Sequence, residues 1–388
     1  VAETSLGERA AAWLSGQLPA MEAALQGLVE INSFTDNPEG GRQVGERLRQ
    51  LFALPGLSCE TVKSDRYADH LLFRSDGAKD KAAVALVGHL DTVFPPGKFE
   101  GYRVDGPLRR GPGVFDMKGG LTLLAFALKA LAREEGGLGA IAPLRLVIVS
   151  DEEVGSPEGQ PLIRRAIAGS ACCLVFESGR AADAIVTRRK GTGGMTARAY
   201  GKAAHAGNNH QDGANALWAL AKFIDAAQGL TDYARGLTLN VGKISGGQGK
   251  NTVPDEGEAQ LDLRFTTRAE GQALLAALHQ AARTAEAAVP GTRLELSGGV
   301  LRDPMERSEA SLALMHAYGA CALKSGLQYS EGGLMGGGSD ASTASAMGIP
   351  SIDGLGPRGK GFHTVDEQIE VDSLVLKAQA VARFLASQ

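Results

Sequence analysis

VALVGHLDTV, Val84 to Val93, is the stretch whose reading decides the fold. Four apolar residues follow a polar lead, AKDK at 78–81, and run into Gly88-His89. A short continuous apolar run bounded by turn formers reads as a strand buried on both faces, the signature of a parallel sheet. His89 and Asp91 are two apart, which on a strand puts both side chains on one face. Downstream, Met117 to about Ala132 carries Leu121, Leu123, Leu124, Phe126, Leu128 and Leu131, apolar on nearly all sides, and so predicts a helix buried against that sheet. Leu144–Val149 and Cys172–Phe176 read as two further strands. Strand, helix, strand at these intervals predicts an α/β domain with a mixed, mostly parallel sheet flanked by helices. In such sheets sites lie beyond the carboxyl ends of strands, and His89, Asp151 to Glu153 and Glu177 all follow directly after predicted strands.

At 388 residues the chain is too long for one ordinary core. Amphipathic helical patterns cover Glu8 to Ile31 and Gly40 to Leu54. The middle changes rhythm: strands are predicted at Thr192–Tyr200, Leu237–Ile244, Glu258–Phe265 and Arg293–Leu296, with helices near Asn215–Ala227 and Ala269–Ala287. That β-α-β-β-α-β order is the ferredoxin-like pattern and predicts an inserted α+β domain over 189–300. The last segment ends in a helix, Val371–Ala386, and carries His363. One site can include His363 only if the terminal segments meet, so the catalytic domain is expected to be discontinuous, 1–188 with 301–388.

Composition narrows the partners. Net charge is −4, aromatics are 5%, and no long basic run occurs, which argues against nucleic acid. No stretch approaches the ~20 apolar residues of a membrane span, so a soluble, cytoplasmic protein is expected. Because the first residue is Val1 and not Met, a removed secretory leader stays open. Cys59, Cys172, Cys173 and Cys321 lack zinc-ribbon spacing and are expected to be buried core thiols.

Five motifs carry the chemistry: GHLDTV (88–93), GPGVFDMKGG (111–120), SDEEVGS (150–156), FESG (176–179) and GFHTVDE (361–367). Each sets a histidine or carboxylate beside small, turn-forming residues. Taken singly they have bland readings: a core histidine at 89, a helix cap at Asp116, solvated acids at Glu152, Glu153 and Glu177, a surface histidine at 363. Counted together they suggest more. If His89, Glu177 and Asp116 hold one ion, and His363, Glu153 and Asp116 another, each ion has three protein ligands and an open position, as catalytic sites require. Nitrogen and oxygen donors suit zinc, cobalt or manganese without selecting among them. Glu152 is then spare for proton transfer, and Asp91 is placed to orient His89.

These motifs, in this order and at these intervals from about Glu8 to Leu385, resemble the dizinc aminoacylase and glutamate carboxypeptidase family of metallopeptidases. The resemblance implies a zinc-exopeptidase-like fold with a lid that pairs two subunits, and two divalent ions, zinc first. It implies His89, bridging Asp116, Glu153, Glu177 and His363 as ligands, Glu152 as base, and a cis bond at Asp116-Met117. His205 in GKAAHAG resembles the lid histidine that reaches a partner's site to stabilise an oxyanion. Asn251 in NTVP, Arg264 in LDLRF, Arg302, and Gly337, Gly338 and Ser339 in the GGGSD loop resemble substrate contacts. GHLDTVFPPGKF, FESG, GKAAHAG and GGGSDAS look most like the carboxypeptidase G branch. The expected reaction is therefore release of a C-terminal, glutamate-like residue from a small peptide, with N-acyl amino acid deacylation as the alternative. A binding or dimerisation protein without activity is the remote one, since all six ligand and base residues are present.

Overall fold

The computed structural model describes residues 5–77 and 82–388; the first four residues and the AKDK lead at 78–81 lie outside the described residues. The chain divides into two compact units. The first runs to Arg188 and resumes over Arg307–Met335 and Ser339–Gln388. It is built on a six-stranded sheet in the spatial order Leu57–Val62, His70–Ser75, Leu144–Val149, Val84–His89, Cys172–Val175, Ser351–Ile352. The last four strands are mutually parallel, and the first two form an antiparallel hairpin on that edge. Every residue of Val84–His89 is buried, as its unbroken apolar run requires. The helix Lys118–Ala132 buries nearly its whole circumference and packs against Leu6–Leu14 and the C-terminal helix Ser373–Ala386.

The first helical pattern is two helices, Leu6–Leu14 and Leu18–Val29. The break falls at Ser15 to Gln17, where Pro19 sits in the first turn of the second helix and has no N–H to continue the first. A second, antiparallel sheet was not expected: Gly359–Lys360, Gln368–Glu370, Leu108–Arg110 and Arg103–Asp105. Strands of two or three residues are too short to show a period. This sheet matters because Gln368 pairs with Arg110. The turn carrying His363 and the loop leading to Asp116 thus spring from neighbouring strands.

The second unit spans Arg189–Glu306 and takes in Gly336–Gly338. Its four strands lie in the order Thr238–Gly246, Glu256–Phe265, Gly191–Tyr200, Arg293–Arg302, all antiparallel, which is the ferredoxin-like arrangement. The strand Arg293–Arg302 runs through residue 300, with an irregularity between Val300 and Arg302. Alternate residues of the Gly191 strand are buried against the helices Ala216–Gln228 and Arg268–Ala288, with Leu220, Phe223, Leu261, Leu263 and Leu278 in the core. Both helices start on side-chain caps: Asn215 accepts from the Trp218 N–H, and Thr267 and Glu270 form a capping box.

The cysteine expectation needs one correction. Cys172 and Cys173 are buried, but Cys59 is exposed and Cys321 half-buried. Cys59 lies on the edge strand Leu57–Val62, whose residues have a neighbouring strand on one side alone. Among the described residues, no helix is long and apolar enough to cross a membrane.

Candidate metal centre

His89 is the last residue of its strand, and Glu177 follows the Cys172–Val175 strand by two residues. Glu152 and Glu153 open a short helical turn that begins three residues after the strand Leu144–Val149. Asp116 ends the Gly-Pro-Gly loop before a long helix, and the bond to Met117 is cis. The helix takes its cap from Met117 without a side-chain bond, so Asp116 is not spent on capping. His363 sits in a turn with a left-handed φ of 61°.

These positions bring five side chains together in two groups, His89 with Asp116 and Glu177, and Asp116 with Glu153 and His363. Asp116 Oδ1 lies 3.3 Å from His89 Nε2, whereas Asp116 Oδ2 lies 3.3 Å from His363 Nε2. Glu177 Oε1 is 3.6 Å from His89 Nε2 and Glu153 Oε2 is 3.0 Å from His363 Nε2. One carboxylate thus serves both groups, an oxygen to each.

Crowding and burial shift the titration of these groups. Burial pushes Glu177 well above the ordinary carboxylate range, with the Asp116 charge adding to it, and burial likewise lifts Glu153 to about 7. Burial would raise Asp116 too, but hydrogen bonds from His363 and His89 outweigh it and hold that carboxyl low. Bonds to Asp116 and then Glu153 raise His363 to about 10. The imidazole and carboxylate donors and their two-group arrangement fit a pair of borderline-hard divalent ions.

Asp91 does more than its spacing suggests. The His89 Nδ1 atom is 3.1 Å from the Asp91 backbone oxygen and 3.4 Å from Oδ1. The same carboxylate accepts the N–H of Glu152 at 3.2 Å, the N–H of Glu153 at 3.1 Å and the Thr35 hydroxyl at 2.8 Å. It therefore meets the His89 ring on one side and holds the backbone of the paired acids on the other. Thr35 carried no signal in the sequence, because its link to Asp91 is purely tertiary. Glu367 was visible inside GFHTVDE but received no role; it accepts N–H bonds from the loop that ends in Asp116.

The remaining residues lie mostly in the second unit. His205 is exposed on the two-residue strand Ala204–His205, paired with Thr252–Val253 beside Asn251. Its Nδ1 accepts the N–H groups of Gly207 and Asn208, both at 3.1 Å. That leaves Nε2 as the protonated, donating atom of the neutral ring. Arg264 is held by Asp262 through two bonds of 2.9 and 3.0 Å. Arg302 is buried beneath Gly338, where an added Cβ would stand 2.6 Å from its Cδ. The Gly337 carbonyl accepts from Arg189 at 3.1 Å. In the first unit, Ser339 is buried and donates its hydroxyl to Asp353 at 2.6 Å.

Residues 187–290 match the peptidase dimerisation domain of M20 peptidases. Succinyl-diaminopimelate desuccinylase of Cereibacter sphaeroides is 31% identical over 89% of this chain and 92% of its own length. The chain belongs to the M20 metallopeptidase family. It is accordingly a hydrolytic enzyme. Carboxypeptidase G2 of a Pseudomonas species is another M20 relative, 26% identical over 95% of this chain and 89% of its own. The fold is also that of YxeP from Bacillus subtilis, a dinuclear metal-binding M20 peptidase: TM-score 0.71, 14% identity, covering 96% of this chain and 98% of that one.

Proposed function

We propose that this M20 enzyme hydrolyses an amide whose nitrogen side is a free amino acid, releasing a C-terminal, glutamate-like residue from a small peptide. The observation that carries the reading is Asp116, whose two oxygens face two separate histidine-carboxylate groups. His89, Asp116 and Glu177 would hold one divalent ion, and His363, Glu153 and Asp116 the other. When bound, such ions supply Lewis acidity toward a carbonyl oxygen and toward water. Glu152 takes a proton from the attacking water and delivers it to the leaving nitrogen. Its N–H bond to Asp91 fixes it beside Glu153 while leaving its carboxylate out of both groups. His205, with Nε2 as donor, stabilises the oxyanion from the lid of a paired subunit. Arg264, Arg302, Asn251 and the backbone of Gly337 to Ser339 recognise the substrate's carboxylate and carbonyl ends.

N-acyl amino acid deacylation is the second reading, and the 31% identical desuccinylase favours it. Both readings share one reaction centre and differ in the group on the acyl side. The deciding experiment screens N-acyl amino acids and C-terminally varied dipeptides after dialysis, with zinc, cobalt or manganese restored. Turnover highest on peptides ending in glutamate supports the first reading, and turnover highest on acyl amino acids supports the second. A protein that retains no metal, or cleaves neither class, sinks both.

A further inference from the structure

The turn bearing His363 and the loop bearing Asp116 come from distant parts of the chain, yet they must present one ion with ligands at fixed spacing. Neither is stiff by itself. His363 has an exposed side chain on a left-handed turn residue, and the Asp116 loop opens with Gly-Pro-Gly. Glu367 joins them. It is fully buried, four residues past His363, at the foot of the same turn. Its Oε2 accepts the Gly113 N–H at 3.0 Å, and its Oε1 accepts the N–H groups of Phe115 and Asp116, both at 2.9 Å. Its backbone oxygen takes the Gly111 N–H at 3.4 Å. The Lys118 stem also fills the space against Gly113, where an added Cβ would lie 3.0 Å from its Cδ, and its Nζ donates to Ile31 O at 2.9 Å. The loop is thus held by Glu367 and packed against Lys118.

We infer that Glu367 is a positioning residue that sets the bridging carboxylate and His363 as one rigid unit, so that binding of the ion held by His363 depends on it. Asp91 does the equivalent for His89 and the paired glutamates. The two buried acids thus support different parts of the centre's backbone, Glu367 the loop ending in Asp116 and Asp91 the turn of Glu152 and Glu153. The first group's other ligands, His89 and Glu177, stand at ends of central strands and do not need Glu367. The inference rests on the dinuclear reading of the site.

Glu367→Gln tests it. The amide keeps one acceptor for the Phe115 and Asp116 N–H groups but turns its NH2 against the Gly113 N–H. Metal content is measured by equilibrium dialysis in metal-buffered solution, alongside far-UV circular dichroism of the metal-free protein. The step that uses His363 should weaken by about 10- to 100-fold, the usual cost of losing such support, while the other, which shares only Asp116 with it, weakens less. His363→Ala should weaken the same step. Glu367→Asp keeps the carboxyl group but shortens the reach by one methylene; a positioning role predicts the same loss, whereas rescue by Asp would show that the acid group matters and its reach does not. Unchanged affinities, or equal weakening of both steps, overturns the inference, and where Gln does not fold the Asp variant decides. Wild-type protein that binds fewer than two ions instead sinks the dinuclear reading itself.

Discussion

Asp116 is the residue on which both halves of the centre depend, because its two oxygens face different histidines at equal distances of 3.3 Å. The acid left over by that arrangement is Glu152. If Glu152 is the proposed base, Glu152→Gln removes it and leaves both side-chain groups intact, so turnover should fall by about 10²- to 10⁴-fold while metal analysis still finds two ions. Normal turnover in the variant would remove Glu152 from proton transfer. Asp91→Ala should behave differently, because it frees the Glu152 and Glu153 N–H groups and the Thr35 hydroxyl together. Metal affinity should drop by about 10- to 100-fold, measured by competition with a chromophoric chelator. An affinity equal to wild type would confine Asp91 to a role within its own turn.

Among the elements, the C-terminal helix Ser373–Ala386 is tied down by charge as well as by packing. Asp183 is buried and accepts from Arg358 at 2.9 and 2.5 Å, from the Gln328 N–H at 3.0 Å, and from the buried Lys377 of that helix at 3.2 Å. Burial pushes the Asp183 carboxyl up, but the Arg358 hydrogen bonds and the Lys377 charge outweigh it and hold it below the usual range. A carboxyl depressed in the folded state binds protons more tightly when unfolded. Its contribution is therefore complete above its unfolded value of about 3.9 and is lost as pH falls through the folded one. Asp183→Asn should cost about 3–5 kcal/mol near neutrality, since it strands Lys377 without its counter-ion, and its stability should fall less steeply than wild type below pH ~4. Urea unfolding at several pH values gives both results; parallel acid limbs would refute the assignment. None of this was legible in the sequence, where Asp183, Arg358 and Lys377 stand far apart with no pattern to join them. Long apolar runs such as Val84–His89 and Leu144–Val149 were legible, because burial on both faces leaves no polar residue to blur them. The short antiparallel sheet and the hairpin Leu57–Val62 with His70–Ser75 were not. The metal-ligand candidates could be read as a set because Gly-flanked acids and histidines repeat at strand ends, whereas Thr35 and the role of Glu367 depend on contacts that no local spacing encodes.

On the scale of the whole molecule, the assignments of Glu152 and His205 fall in different units of one chain, and the match to a peptidase dimerisation domain raises the question of whose lid serves whose site. The second unit presents the edge strand Thr238–Gly246, largely exposed, and Trp218, 55% exposed on the helix Ala216–Gln228. An unpaired strand edge suits association with a second copy about a two-fold axis. If His205 acts on the partner's site, two inactive variants should complement each other. Glu152→Ala lacks a base, and His205→Ala lacks a donor. In a mixed dimer, the site on the His205→Ala chain keeps its own Glu152 and receives His205 from the other chain, so that site is whole. Random pairing makes half of the dimers mixed, each with one complete site, and the mixture should regain up to about a quarter of wild-type turnover. The measurement needs subunit exchange before assay, verified by sedimentation. No recovery after demonstrated exchange would place His205 in the service of its own chain's site, and a protein that stays monomeric at full activity would exclude any role across subunits.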